Sequence, residues 1–297
     1  MSDEPMRVLY VCHNHPSVRP GGAEGYALEL HRAMAERDEV HSTFIAKGGP
    51  PLSPIGQLHP GTLVSPVGDR PDEYFFFTDG YEFDWLYGSV RGGKDIYTKH
   101  FRDFLLATRP DVVHFHHTLF LGYDLLRVTR DVLPAAPILY TLHEFLPICH
   151  RQGQMVRTVD ERPCMEESPR RCHECFPDIS PQDFFLRKRL VKSHFRLVDL
   201  FIAPSRFLME RYLDWGIPED RIRVEEYGRS ITLEPVRDAR EPRNRFGFFG
   251  QLNPYKGVVT VLEAMRRLDA LADLPARPTL RMHGANLDLQ PGPSRTR

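Results

Sequence analysis

The chain has 297 residues, 41% of them hydrophobic, enough to bury one large core or two ordinary ones. Lys and Arg number 39 against 40 Asp and Glu, so no net field draws the protein to nucleic acid, and any anionic partner would need a local patch. No apolar run approaches the roughly 20 residues that cross a bilayer, and MSDEPMRVLYV has no basic stretch ahead of its apolar segment. The expectation is a cytoplasmic protein with no transmembrane segment, for which a peripheral membrane contact stays open.

Strand and helix patterns alternate from the start. RVLYVCH (7–13) is a continuous apolar run, followed by a polar turn and by AEGYALELHRAMAER (23–37), where Leu28, Leu30, Ala33 and Met34 recur near helical spacing. EVHSTFIA (39–46) is the next strand. Residues 48–70 are rich in Gly and Pro, and DEYFFFTDGYEFDWLYG (72–88) has no clean period, so both read as an elaborate loop region. KHFRDFLLATRP (99–110) is a helix ended by Pro110, DVVHFHH (111–117) a strand, LFLGYDLLRVTRDV (119–132) a helix and PILYTLHEF (137–145) a strand. A polar, cysteine-bearing insertion runs over about 149–181, before a basic helix (184–196), the strand DLFIAPS (199–205), the helix RFLMERYLDWG (206–216) and the strand RIRVEEYG (221–228).

Apolar strands alternating with amphipathic helices are what a parallel sheet covered on both faces requires. The fold class is therefore α/β, with a doubly wound Rossmann-like N-terminal domain over residues 1–238. A charged segment with two prolines (231–244) reads as a linker, after which FGFFG (246–250), VVTVLEAMRRLDAL (258–271) and PTLRMHG (278–284) restart the rhythm. Residues 239–297 thus begin a second Rossmann-like domain and supply one βαβ unit of it.

Ligands of open α/β sheets sit beyond the carboxyl ends of the strands. There, Gly21 and Gly22 open a helix and could bring bare backbone N–H groups and the helix dipole to a phosphate or sugar oxygen. His116 and His117 in HFHHT, and His143 in TLHEF, end neighbouring strands, where an imidazole can hydrogen-bond a substrate hydroxyl near neutral pH. Ser205 in APS reads first as a helix cap and second as a ligand contact. In FGFFGQLNPYKG, Lys256 and Gly257 stand at a helix N-terminus, a place that favours anions, so the lysine points to an anionic ligand rather than to the dipole.

These motifs, GGAE, HFHH, TLHEF, APS and above all FGFFGQLNPYKGVVTVLEAM, resemble the retaining family-four glycosyltransferases of the GT-B fold. The resemblance implies two Rossmann-like domains, a nucleotide-diphosphate sugar as donor and a carbohydrate or other hydroxyl compound as acceptor, with no cofactor for catalysis. Carried over by position, it implies that Gly21, Gly22, Gln251, Lys256 and Gly257 approach the donor. His143 would lie beside the transferred sugar as the catalytic residue, and His116, His117 and Ser205 would line the acceptor side. Gln251 stands where the family often has Arg, so the donor diphosphate would lean more on Lys256. The family's pair of glutamates toward the end of the second domain has no counterpart before Arg297, and the chain reads as truncated. A non-catalytic binding module on the same fold is the alternative, and a sugar-nucleotide epimerase a less fitting one, since no acid/base carboxylates stand out for it.

Cys149, Cys164, Cys172 and Cys175 are separated by fourteen, seven and two residues. The terminal C-x-x-C is a chelating pair of the kind tetrahedral zinc uses, so the expectation is a structural zinc that gives a polar insertion its cohesion. Unlinked thiols are the other reading, with His150 and His173 as competing ligands.

Overall fold

A computed structural model describes residues 4–49, 63–77, 83–228, 243–271, 273–274 and 276–284. Two compact units divide the chain, Met1–Ser230 and Ile231–Arg297. The boundary expected after residue 238 falls within 229–242, outside the described residues, as do most of the linker and the tail.

In the first unit the chain runs β1 (Met6–Cys12), α1 (Gly22–Ala35), β2 (Val40–Gly49), β3 (Val64–Val67), β4 (Arg70–Phe77), β5 (Phe83–Asp84), β6 (Ser89–Val90), α2 (Lys94–Thr108), β7 (Val112–His116), α3 (Asp124–Val132) and β8 (Ile138–Thr141). It continues through α4 (Pro169–Cys175), α5 (Pro181–Phe195), β9 (Leu200–Ala203), α6 (Arg206–Trp215) and β10 (Ile222–Val224). Eight strands form one sheet in the order β10-β9-β8-β7-β1-β2-β4-β3, parallel except for β3, which runs antiparallel to β4 at the edge.

The alternation within β1 shows why both faces are covered. Val8, Tyr10 and Cys12 pack with Ala27 and Leu28 of α1 and with Phe44 and Ala46 of β2. Leu9 and Val11 join the larger core on the other face, with Phe101 and Leu105 of α2, Leu126 of α3, Val191 and Phe195 of α5 and Tyr212 of α6. Each such fully buried apolar side chain contributes about 1.5–3 kcal/mol relative to exposure. From β1 the chain first builds outward through β2 and β4, then crosses back to place β7 on the other side of β1. The strand order reverses between β1 and β7, the kind of switch point beyond whose strand carboxyl ends open α/β sheets bind ligands.

Among its described residues, the loop region expected over 48–70 and 72–88 holds β3, β4 and β5, with β5 pairing to β6 just after it, and α2 starts at Lys94 rather than 99. Its aromatic run has no polar alternate because β4 sits beside β2 inside the sheet: Phe76 packs against Tyr97 and Phe101 of α2, and Phe75 meets the His15 ring edge-on at 5.1 Å. Residues 50–62 and 78–82 lie outside the described residues. The helix expected from 119 begins at Asp124, after turns in which Leu121 and Gly122 donate to Thr118 O.

The second unit holds β11 (Arg245–Phe249), a 3-10 turn (Pro254–Lys256), α7 (Val258–Asp269) and β12 (Thr279–His283), with β11 and β12 parallel, the single βαβ unit expected. Among the described residues no helix is long and apolar enough to cross a membrane.

Candidate functional site

The register of the sheet assembles a cluster of imidazoles at the switch point. Cys12 pairs with His116 across β1 and β7, so the residues that follow them, His13 and His117, emerge side by side with ring centroids 4.6 Å apart. His13 Nε2 lies 3.0 Å from Glu24 Oε1, and both side chains are about nine-tenths buried. Burial lowers the proton affinity of His13, the His117 ring lowers it further, and the imidazole is neutral at pH 7. Burial alone would raise the Glu24 carboxyl, but the bond from His13 brings it below its ordinary value. A neutral His13 therefore donates through Nε2 to an ionised Glu24.

Glu24 belongs to the first turn of α1, directly after the glycines. Gly21 is the N-cap in extended conformation, and a Cβ placed on it would come 2.3 Å from Glu24 Oε2, whereas one on Gly22 would meet nothing within 4 Å. Gly21 thus makes room for the carboxylate that holds His13.

His117 is tied on both ring nitrogens. Leu119 N donates to Nδ1 at 2.9 Å, which fixes the tautomer and leaves Nε2–H to donate to Glu144 Oε1 at 2.8 Å. Its backbone has φ 104°, in the left-handed region that β-carbon sterics disfavour, at a cost of about 1–3 kcal/mol that the two ring bonds help to offset.

A second chain of contacts runs through His116, which is fully buried. Its Nδ1 lies 3.3 Å from His143 Nε2, and His143 Nδ1 hydrogen-bonds the Tyr227 hydroxyl. Tyr227 follows β10, is 41% exposed, and rests against Tyr26 of α1 with centroids 4.3 Å apart. Burial, with neighbouring imidazoles, holds both His116 and His143 well below the usual histidine range, so each carries one proton. Burial, then Tyr26 and Glu144, raises the Tyr227 phenol. If His116 donates to His143 and His143 to Tyr227, the phenol proton is left to point outward; the reverse order draws it inward. His116 Nε2 has no partner in either case. The arrangement can move a proton between a buried imidazole and a hydroxyl at the surface.

The structure therefore brings together His116, His117 and His143, with Gly21 and Gly22 beside them through Glu24. Sequence reasoning missed His13, Glu24, Tyr26, Glu144 and Tyr227; the same strand-end rule reaches His13, Glu144 and Tyr227, which follow β1, β8 and β10. Ser205 is the N-cap of α6, its Oγ accepting from Leu208 N at 3.2 Å. In the second unit Gln251 and Lys256 are exposed, Gln251 Oε1 accepts from Asn253 Nδ2 at 3.4 Å, and Gly257 caps α7 at φ 76°, a conformation suited to glycine.

Among the described residues no group of three or more His, Cys, Asp or Glu is arranged to hold a metal ion. The closed zinc site expected of Cys149, Cys164, Cys172 and Cys175 is thus not assembled. All four are unpaired thiols, and burial, with Glu167 next, pushes Cys172 up to about 12. Polar links hold the insertion instead: Arg151 to Glu161 at 3.0 Å, Arg157 to Glu174 at 2.9 Å, and the Thr158 hydroxyl to Cys175 O at 2.7 Å.

Residues 20–226 match the family model described as Glycosyltransferase Family 4. No curated protein matches the sequence significantly. Among solved structures, Anabaena Alr3699/HepE in complex with UDP-glucose matches with a TM-score of 0.50 at 16% identity, over 93% of this chain and 60% of that one. The catalytic domain of starch synthase IV from Arabidopsis thaliana bound to ADP and acarbose gives 0.54 at 14% identity, over 95% and 69%. A UDP-forming trehalose-phosphate synthase from Burkholderia xenovorans gives 0.53 at 13%, over 94% and 65%. At these identities the likeness concerns the fold, which is GT-B, and the chain spans about 60% of the length of the first of these structures. With the family model spanning the sheet from α1 to the residues after β10, the chain belongs to glycosyltransferase family 4.

Proposed function

We propose that the protein transfers a sugar from a nucleoside-diphosphate donor to a hydroxyl acceptor with retention of configuration. The observation that carries this reading is the gathering of His13–Glu24, His117–Glu144 and His116–His143–Tyr227 at the carboxyl ends of the strands beside the β1/β7 switch point. UDP-glucose and ADP in the structural neighbours support the donor class. Five unpaired cysteines support a cytoplasmic setting.

Each group then has a task. Lys256 and the free N–H groups at the start of α7 stabilise the charge that grows on the departing diphosphate. The half-exposed Tyr227 hydroxyl meets a hydroxyl of the transferred sugar, and His143, backed by His116, sets which way that bond points. For retention, the departing phosphate oxygen takes the acceptor proton on the face where the new bond forms, so catalysis rests on positioning and electrostatics. Glu144, held in place by His117, orients the acceptor.

Calorimetric titration of the folded chain with a panel of UDP-, ADP- and GDP-sugars tests the reading. One donor should bind, Lys256→Ala should weaken it about tenfold through the loss of one charge-assisted contact, and His143→Ala should lower turnover more than affinity. A folded chain that binds no sugar nucleotide at millimolar concentration would refute it and favour a non-catalytic binding module.

A further inference from the structure

The aromatic segment between β4 and α2 has no part in the sugar-transfer reading so far. Its described end forms the β5–β6 hairpin, whose strands are rooted in the core: Phe83 and Val90 are buried there together with Tyr123 at the start of α3. The turn between the strands is held from within. The Asp84 carboxylate accepts from Leu86 N at 2.9 Å and from Tyr87 N at 3.2 Å, and Arg91 Nε donates to it at 2.8 Å. The Tyr87 hydroxyl donates to Asp183 Oδ1 of α5 at 3.2 Å and ties the turn to a helix.

On this fixed turn Trp85 is 46% exposed. Its ring stands nearly perpendicular to two others, Phe83 at a centroid distance of 5.6 Å and Phe120 at 5.4 Å, with interplanar angles of 89° and 84°. Phe120 is braced in turn by Lys47, whose Nζ lies 5.4 Å from the ring centre. The indole is therefore held in one orientation while much of its surface stays open.

A single exposed apolar side chain is ordinary on a protein surface. What sets Trp85 apart is its place. Phe120 belongs to the loop that leaves β7 after His117, and Trp85 borders one narrow crevice with His117, Leu119 and Leu146. Leu146 N donates to the Glu144 carboxylate, whose other oxygen accepts from His117 Nε2. Indole, imidazole and carboxylate thus stand around one rim. The crevice itself measures about 10 Å³, the space of one water, so a ring-sized ligand lies across the rim rather than inside it.

We propose that Trp85 is the stacking platform for the acceptor, and that it selects a pyranoside whose apolar C–H face lies on the indole while its hydroxyls reach toward Glu144. The chemistry of the rim favours this occupant. A pyranose carries a flat apolar face ringed by hydroxyls, and a rigid aromatic face with a carboxylate beyond its edge has the matching distribution. An open-chain polyol has the hydroxyls without the flat face. The acceptor's role rests on the sugar-transfer reading, while the contact itself is measured without a donor.

The chain has two tryptophans and Trp215 is only 5% exposed, so acrylamide quenching of intrinsic fluorescence reports on Trp85. The full chain is titrated with the methyl α- and β-glycosides of glucose, galactose and mannose, and with sorbitol as the ringless control. At least one pyranoside should shield the indole saturably at millimolar concentration, and sorbitol should not. Calorimetry with that pyranoside should show W85A binding about tenfold more weakly, the weight of about 55 Å² of apolar surface left uncovered. W85F, which keeps an aromatic ring against Phe83 and Phe120 and so guards against a folding defect, should fall between W85A and the parent. The proposal is overturned if no pyranoside shields Trp85, if sorbitol shields it equally, or if W85A binds the pyranoside as the parent does. A chain that binds a sugar nucleotide yet shows no shielding sinks the platform alone. One that shows shielding and binds no sugar nucleotide keeps the platform and loses the transfer reading.

Discussion

Replacing Arg187 with Met should unfasten the loop that carries His143 and Glu144. Arg187 is 4% exposed, and its guanidinium donates to Pro147 O at 3.0 Å, to Ile148 O at 3.3 Å and to Leu146 O. Hydrogen bonds from a charged donor are worth about 1.5–3 kcal/mol each, they share one desolvation cost, and removing the donor leaves three carbonyls partly unpaired. Arg187 Nε has no partner, so the cation is incompletely satisfied and part of that gain is already offset. The loss should be about 3 kcal/mol, or roughly 10 °C in the melting temperature of a unit this size. Arg187→Lys should recover little of it, because one ammonium cannot span three carbonyls in a plane. Thermal unfolding followed by near-ultraviolet circular dichroism measures the effect. A shift below about 2 °C for Arg187→Met would refute the idea that this guanidinium fastens the loop.

Buried neutral histidines make the fold acid-sensitive well above the carboxylate range. Burial lowers His31, bonded to Ser42 Oγ at 2.7 Å, to about 4, and His114, bonded to Thr141 Oγ1 at 2.7 Å, to about 3. Such groups take up protons only on unfolding, so stability is whole above about pH 6.5 and falls as the pH drops toward 4, by about 3 kcal/mol from His31 alone. Glu24 and Glu73, both lowered in the fold, subtract more below about pH 4.5. Urea midpoints should decline between about pH 7 and 5, and less steeply in His31→Gln; a flat profile would contradict the neutral buried state. The two glycines ahead of α1 should separate cleanly. Gly21→Ala should displace the Glu24 carboxylate and cost about 1–3 kcal/mol through the exposed His13 bond, while Gly22→Ala should be neutral or slightly stabilising. Equal effects of the two in urea unfolding would rule out the room-making role of Gly21.

The alternation of apolar strands and amphipathic helices was legible because a sheet buried on both faces needs continuous apolar strands, as RVLYVC and DVVHFH are. The same physics hid β4: EYFFF is apolar on both sides and sits in a segment full of Gly and Pro, so neither period nor composition marks it. His116, His117 and His143 could be found by their position after apolar runs. Their partners could not, since Glu24 reaches His13 from a helix, and Tyr227 reaches His143 from 84 residues away by way of a sheet order that puts β8, β9 and β10 side by side. The cysteine spacing suggested chelation, but spacing says nothing of side-chain direction, and among the described residues no set of three or more ligands is arranged to hold a metal ion.

The outer strand β3 has one further consequence. It reverses direction against β4, is four residues long and carries Pro66, which offers no N–H to a neighbour. The opposite border, β10, has three residues. A stray extended peptide would find few consecutive donors and acceptors on either border to register against, so the eight strands among the described residues offer little template for aggregation.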